Sequence, residues 1–514
     1  LYTEAAHAAL SPRERELHDR AFTTNTGDPH YRELATLTYR DGAQERRMQI
    51  PKGDVLHRFR EDVRTGTLPA VSWIVAPENF SDHPGAPWYG AWYLSECLDI
   101  LTQNPEVWRK TIFILCYDEN DGYFDHVPPF VPPDPTRPDS GKVSAGIDPS
   151  VEWVPMAQED ERQKTHPGAA KRSGPIGLGF RVPLVIASPW SRGGYVNSQV
   201  CDHTSILQFL EQWLTHRTGQ PIRETNISAW RRTVCGDLTS VFRPYQGENV
   251  ALPQPVARDP FLSSIHQAQF RQLPSGFRKW TAEELQRART DPRPAPGLPR
   301  QEPGGRPACA LPYDLAADGE LSADRSSLVV RFQAGRGVFG DRAAGAPFHV
   351  DAPVPFRPAG AAPAAFEGGT IRDYAVRAGD ALSDVWNLAL FADAQYHLRI
   401  HGPNGFYREL RGNAQDPDLT IGLAGSAAEP RALLTLHNRG ASDLTVDIAD
   451  LGYGQPTRAV TVPAGAKLEV TLSLVSSRGW YDLGLSVTGH TAYARRYSGH
   501  VETGRDSVSD PLLG

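Results

Sequence analysis

The chain has 514 residues, with 53 Lys plus Arg against 60 Asp plus Glu, a formal net charge of -7 and 40% hydrophobic residues. At about 100–200 residues per domain, such a length implies about three or four domains and excludes a single small module. The intermixed charges leave no broad basic face to release counterions from a phosphate backbone, which argues against nucleic acid as a partner, and no apolar run reaches the roughly 18 residues a membrane-spanning helix needs.

In chain order, the first 60 or so residues mix charge with helical spacing, as in Pro12–Arg20 and Asp54–Val63, and read as helices joined by loops. Three apolar runs follow, Ala70–Ala76, Thr111–Tyr117 and Val182–Ser188, each ending in polar, Gly or Pro residues, as buried strands do. Tyr89–Leu101 places Tyr89, Trp92, Tyr93, Cys97 and Ile100 at helical intervals, and Ser205–Leu214 reads as a helix after Asp202, His203 and Thr204. Strands alternating with helices over 1–244 predict an α/β region with a mostly parallel sheet and flanking helices. Pro128–Pro138 and Gln158–Arg172 read as a surface excursion, since proline density forbids ladder pairing.

Residues 245–305, rich in Pro, Gln and Arg, read as a connector with one helix at Thr281–Arg289, whose first residue is a possible N-cap. Beyond it come short alternating segments such as Ser327–Phe332, Tyr396–Ile400, Ala432–His437, Ala459–Val462 and Lys467–Leu474. This pattern predicts β-sandwich architecture. Ala378 aligns with Ala464, Tyr396 with Tyr481, Gly402 with Gly489 and Gly412 with Gly499, at an offset of 85 to 87 residues. Two homologous sandwiches are therefore expected, over 306–412 and 413–514.

In an open α/β sheet, functional groups gather beyond the carboxyl ends of strands. The first run is followed by Asp82 and His83, the second by Asp118, Glu119, Asn120, Asp121, Asp125 and His126, and the third by a loop leading to Asp202 and His203. Crowded carboxylates repel unless a cation, hydrogen bonds or water compensates. A divalent metal would do so, with Mg, Ca, Mn, Zn and Fe all open; a solvated acidic turn at Asp121-Gly122 is the alternative. His83 suits a general acid or metal ligand, or an ordinary hydrogen-bonding histidine. His126 is equally open, and Asp202 or Thr204 could simply cap the helix beside His203. Arg181 and Arg192 could grip a phosphate or pair with surface acids. The helical spacing of Trp92 and Tyr93 favours core packing over a quaternary-ammonium cage. No phosphate loop, dinucleotide fingerprint or Gly-x-Ser-x-Gly elbow occurs.

The five cysteines are too few and too irregular for a disulfide framework, and no signal peptide is visible at Leu1. Pro69–Pro84, Trp108–His126, Gly179–Pro183 and Asp202–Ser205, with Gly402-Pro-Asn-Gly-Phe406 and Gly499-His-Val-Glu-Thr-Gly504 in the tail, resemble the bacterial phosphocholine-preferring phospholipases C. That family is related to acid phosphatase A within the alkaline phosphatase superfamily. The resemblance implies an alkaline-phosphatase-like catalytic domain followed by two β-sandwich domains. It also implies Asp118 and Glu119 as ligands of a divalent metal, and His83 as a contact of the transferred phosphoryl group. His126 and His203 are further catalytic candidates, and Asp82 and Arg181 candidate substrate contacts.

Relatives of this kind begin with a further segment bearing a Glu-Asn-Arg-Ser-Phe-Asp-His type motif and a Ser or Thr nucleophile. Neither is found here, so 1–244 is expected to be the later portion of a catalytic domain, inactive without its N-terminal segment. The expected protein is a secreted or periplasmic enzyme acting on phospholipid at a membrane surface, cleaving phosphatidylcholine, with sphingomyelin as a further substrate, to phosphocholine and diacylglycerol or ceramide. A broad-specificity phosphatase or phosphodiesterase and a noncatalytic lipid-binding or surface-binding fragment are the alternatives.

Overall fold

An apolar run becomes a strand only where a neighbour offers a hydrogen-bonding ladder, and the two parts of this chain differ in that respect. The structure, a computed structural model, describes residues 4–21, 24–81, 83, 89–120, 122, 128–248, 251–291, 298, 304–358, 361–362, 365–426 and 429–512. It divides into two compact units: Leu1–Ile114 with Ile186–Arg192 and Pro244–Leu298, and Leu115–Val185 with Gly193–Arg243 and Pro299–Gly514.

The first unit is organised by helix Tyr89–Thr102, whose Trp92, Tyr93, Cys97, Ile100 and Leu101 are buried with Leu56, Val63 and Phe80. Trp92 and Tyr93 are thus core residues, as their spacing indicated. Helix His57–Thr65 supplies Val63 and closes on Gly66, whose φ of 69° is the left-handed conformation glycine adopts without a Cβ penalty. The proline-rich 245–305 stretch is more than a linker. Its helix Arg258–Ala268 buries Leu262 and packs Phe261 on this same core, while helix Ala282–Thr290 begins with Thr281 in a capping box with Glu284.

Two expectations are corrected here. Leu34–Asp41 and Gln44–Pro51 form an antiparallel hairpin rather than helix and loop, because Leu34 to Asp41 carries a period of two and Gly42 turns the chain at φ 61°. Ala70–Ala76 is not a strand: 70–77 is irregular, and Trp73 and Val75 are 67% and 87% exposed. The other two runs do form strands, Phe113–Cys116 and Leu184–Ala187, in a two-stranded sheet. The described strands of 1–244 make only such two-stranded sheets, apart from Gly141–Val143.

The second unit is built on a nine-stranded sheet. Its order is Arg458–Val462, Leu444–Asp450, Trp480–Val487, Ala494–His500, Tyr407–Gly412, Tyr396–His401, Ala346–Ala352, Thr370–Val376 and Gly141–Val143. Gly141–Val143 joins in parallel, and at Gly141, with φ 128°, a Cβ would lie 1.8 Å from the Asp373 carbonyl oxygen, so only glycine lets the backbones meet. Two three-stranded sheets complete the architecture, one of Leu315–Leu321, Ser327–Ala334 and Asp380–Asn387, the other of Leu419–Gly425, Arg431–Asn438 and Lys467–Ser473. Each bounds its own core, one around Phe332, Phe348, Tyr374 and Leu398, the other around Leu434, Leu436, Val446 and Leu485. The result is two sandwiches with separate cores sharing one continuous sheet.

The repeat explains the seam. Tyr407–Arg411 pairs antiparallel with Ala494–Ser498, so the corresponding hairpins of the two repeats face each other. Arg408 donates to the Ser498 carbonyl at 2.9 Å and the Tyr481 hydroxyl at 3.1 Å, while Arg495 donates to the Arg411 carbonyl at 2.7 Å and the Tyr396 hydroxyl at 2.6 Å. In these bonds each partner of one arginine is the repeat mate of a partner of the other: Tyr481 of Tyr396, and Ser498 of Arg411. In the tail motif, His500 Nδ1 bonds Glu502 at 2.8 Å and Glu502 accepts from the Leu311 amide at 3.1 Å, tying a strand end to the start of the first sandwich. Among the described residues no helix is long and apolar enough to cross a membrane.

Candidate phosphoesterase site

Strand Phe113–Cys116 ends at Tyr117, whose amide donates to the Pro183 carbonyl at 3.2 Å, so the residues after it leave the sheet immediately. Asp118 and Glu119 are both exposed there. The Tyr117 carbonyl accepts from His203 Nε2 at 3.0 Å and from the Cys116 thiol at 3.3 Å. Since a carbonyl only accepts, His203 carries its proton on Nε2 in this contact. Burial, with Asp118 nearby, pushes the Cys116 thiol up, so it stays protonated and is a poor nucleophile.

His203 is the first residue of helix His203–Thr218, and Asp202 is the N-cap. The Asp202 carboxylate accepts from the Thr204 amide at 2.9 Å, and Ser205 accepts from the Asp202 amide at 3.1 Å, completing a reciprocal cap. The capping role weighed for Asp202 is therefore real, and it fixes where His203 starts. Arg231 locks the arrangement: it pairs with Asp202, bonds Glu152 through Nε at 2.9 Å and Nη2 at 2.8 Å, and donates to the Gly177 carbonyl at 2.8 Å. Glu152 also accepts from Ser228, itself the N-cap of helix Ala229–Val234. Two nearly buried carboxylates around one guanidinium are held only because each is paired and hydrogen-bonded.

The structure thus joins His203 to the backbone immediately before Asp118 and Glu119. Arg181 is exposed in the same unit, on the stretch leading to Leu184–Ala187. Arg192 ion-pairs with Glu248 and also donates to the Pro244 carbonyl, the surface salt-bridge reading. His83 is exposed and belongs to the first unit, just after the turn Glu78–Phe80, which Phe80 anchors among Tyr89, Trp92 and Tyr93. Asp82 and His126, with Asp121 and Asp125, lie outside the described residues. Glu152, Ser228 and Arg231 were not singled out from the sequence; Ser228 is an N-cap residue type, and nothing in their spacing points to Asp202.

Hard carboxylate oxygens at Asp118 and Glu119 suit a divalent cation in kind. They are two ligands, however, and among the described residues no third His, Cys, Asp or Glu completes a set with them.

Residues 20–215 match the Phosphoesterase family, and residues 307–413 and 423–500 match the bacterial phospholipase C C-terminal domain. The chain is similar in turn to a phosphoesterase-family segment and to a bacterial phospholipase C C-terminal domain. Over 475 residues the chain is 38% identical to the non-hemolytic phospholipase C of Pseudomonas aeruginosa, a match covering 89% of this chain and 60% of that protein. The non-hemolytic phospholipase C of Burkholderia pseudomallei is 35% identical over 482 residues, covering 90% and 59%, and the hemolytic phospholipase C of Pseudomonas aeruginosa 36% over 507 residues, covering 92% and 61%. The phosphoesterase segment and its C-terminal domain therefore span about three-fifths of the length of these relatives.

Proposed function

We propose that this chain carries the downstream part of a phospholipase C site that hydrolyses phosphatidylcholine, with sphingomyelin as a second substrate, to phosphocholine and diacylglycerol or ceramide. The supporting observation is the junction where His203, fixed by the Asp202 cap, bonds the Tyr117 carbonyl directly before Asp118 and Glu119. The complete catalytic domain in this reading has an alkaline-phosphatase-like sheet, completed by an N-terminal segment that brings the nucleophile. The enzyme works at a phospholipid surface, secreted or in the periplasm.

A Ser or Thr hydroxyl gives its proton to solvent and attacks phosphorus, the bond from phosphorus to the glycerol oxygen breaks, and His83 gives that oxygen its proton so that it leaves as an alcohol. Water then cleaves the phosphocholine-enzyme ester, one of its protons restoring the hydroxyl and the other returning to His83. Arg181 pairs with a nonbridging phosphoryl oxygen, with Asp82 beside His83 as a further substrate contact. His126 and His203 are further catalytic residues in this reading, His203 with its Nε2 proton held toward the Tyr117 carbonyl. A divalent cation bound by Asp118 and Glu119 would supply positive charge for the pentacoordinate phosphorus.

The test measures phosphocholine release from phosphatidylcholine vesicles by the full-length protein that contains this sequence, beside hydrolysis of an aryl phosphate. Release is expected to fall by about a hundredfold or more in Asp118→Ala and His83→Ala, and to stop when a chelator removes the metal. Faster turnover of the aryl phosphate would instead make it a broad phosphatase. Vesicle binding that survives Asp118→Ala, with no turnover in the parent, would make it a lipid-binding protein.

A further inference from the structure

The first 21 residues hold a cluster that the phosphoesterase reading does not use. Helices Glu4–Ala8 and Pro12–Ala21 form a hairpin. Its link is fixed locally: Ser11 and Glu14 cap each other, the Ser11 amide to the Glu14 carboxylate at 2.9 Å and the Glu14 amide to the Ser11 hydroxyl at 3.3 Å, and Pro12 stands at the first helical position. Arg15 reaches back to the Ala8 and Leu10 carbonyls at 2.8 and 3.1 Å, clamping the end of the first helix onto the second.

This clamp brings His7 of the first helix against His18 and Asp19 of the second. His7 Nε2 lies 2.6 Å and His18 Nδ1 3.5 Å from the same Asp19 carboxylate oxygen, and the two imidazole rings meet edge to face with centroids 5.0 Å apart. One donor atom from each of the three residues falls within 4.8 Å of the others. Both histidines are partly shielded while Asp19 opens to solvent, which leaves an approach path for an ion.

We propose that His7, His18 and Asp19 bind one zinc ion, which staples the N-terminal helical hairpin. Two imidazole nitrogens and one carboxylate oxygen form a donor set that zinc takes readily, with water as the fourth ligand. Metal–ligand bonds of about 2.0–2.1 Å in a tetrahedron place neighbouring donors about 3.3 Å apart. The His18 to Asp19 separation already matches, and the His7 to Asp19 contact needs only to open from hydrogen-bond length by a fraction of an ångström. A five-residue helix is marginal by itself, so a cross-link from His7 to the second helix orders the segment that most needs it.

The experiment uses the full 514-residue chain carrying Asp118→Asn and Glu119→Gln, stripped with a chelator, dialysed and titrated calorimetrically with zinc chloride. One zinc per chain is expected, with affinity reduced at least about tenfold in His7→Gln, His18→Gln and Asp19→Asn and unchanged in His30→Gln, since losing even an outer-shell partner of a metal costs about 10–100-fold. Hydrogen exchange supplies a second readout: zinc should slow the amides of residues 5–21 in the parent and not in His18→Gln. Zinc binding of equal strength in all three ligand variants, or no slowing of those amides in the parent, would overturn the assignment.

Discussion

Val71–Val75 and Ala432–Leu436 are both short apolar runs rich in branched side chains, yet they end in opposite states. The second lies in strand Arg431–Asn438, paired on both edges with Leu419–Gly425 and Lys467–Ser473, and its Ala432, Leu434 and Leu436 are wholly buried. The first lies in an irregular stretch and turns Trp73 and Val75 to solvent. Apolar composition sets a tendency to be covered; neighbours with free ladder groups decide whether a strand forms.

The largest expected effect sits at the seam of the two repeats. Arg495→Met strips the partner from Asp416, a carboxylate buried beside the Tyr396 hydroxyl, and should destabilise the β-rich region by about 3–5 kcal/mol, read from chemical denaturation. Next comes the direct comparison. Leu434→Ala removes a side chain from a closed core and should cost about 2–5 kcal/mol, whereas Val75→Ala should change stability by less than about 0.5 kcal/mol. A Val75→Ala cost close to that of Leu434→Ala would break the contrast and show that 70–77 is covered in solution.

A smaller effect tests the candidate site. Asp202→Ala removes the helix cap, worth about 0.5–2 kcal/mol, together with one of the two carboxylates around Arg231, so it should cost more than the cap alone while Glu152 still pairs the guanidinium. If the cap also positions His203, phosphocholine release should fall further in Asp202→Ala than in Thr204→Ala. The smallest effect is a pH dependence. The Arg232 guanidinium holds the Glu211 carboxyl below its ordinary value of 4.5. A depressed folded pKa contributes stability that is present above 4.5 and is lost as pH falls through the folded value. The difference in melting temperature between the parent and Glu211→Gln should therefore be full near neutral pH and shrink in acid below 4.5.

Elements whose signals are local were legible. Helices Tyr89–Thr102 and His203–Thr218, the capping box at Thr281 and most of the C-terminal strands declare themselves through spacing, caps and alternation within a few residues. The hairpin Leu34–Pro51 has a local signal too, but charged residues in Gln44–Pro51 blur the period of two and the turn rests on Gly42 alone. For the candidate site, the strand-end rule pointed to Asp118, Glu119 and His203, and the structure joins His203 to the carbonyl before Asp118. It could not reveal that Arg231 and Glu152 hold the Asp202 cap, since those contacts join positions far apart in the chain.

By itself the sequence determined that this protein pairs an α/β stretch rich in strand-end carboxylates and histidines with a duplicated β region, because residue chemistry, periodicity and an internal repeat are properties of the chain. Only the tertiary structure decided that the two sandwiches share one sheet, that Arg408 and Arg495 exchange equivalent partners across it, and that Ala70–Ala76 is no strand. Ladder pairing and burial depend on which segments meet in space, and that is fixed by long-range packing rather than by any one segment's composition.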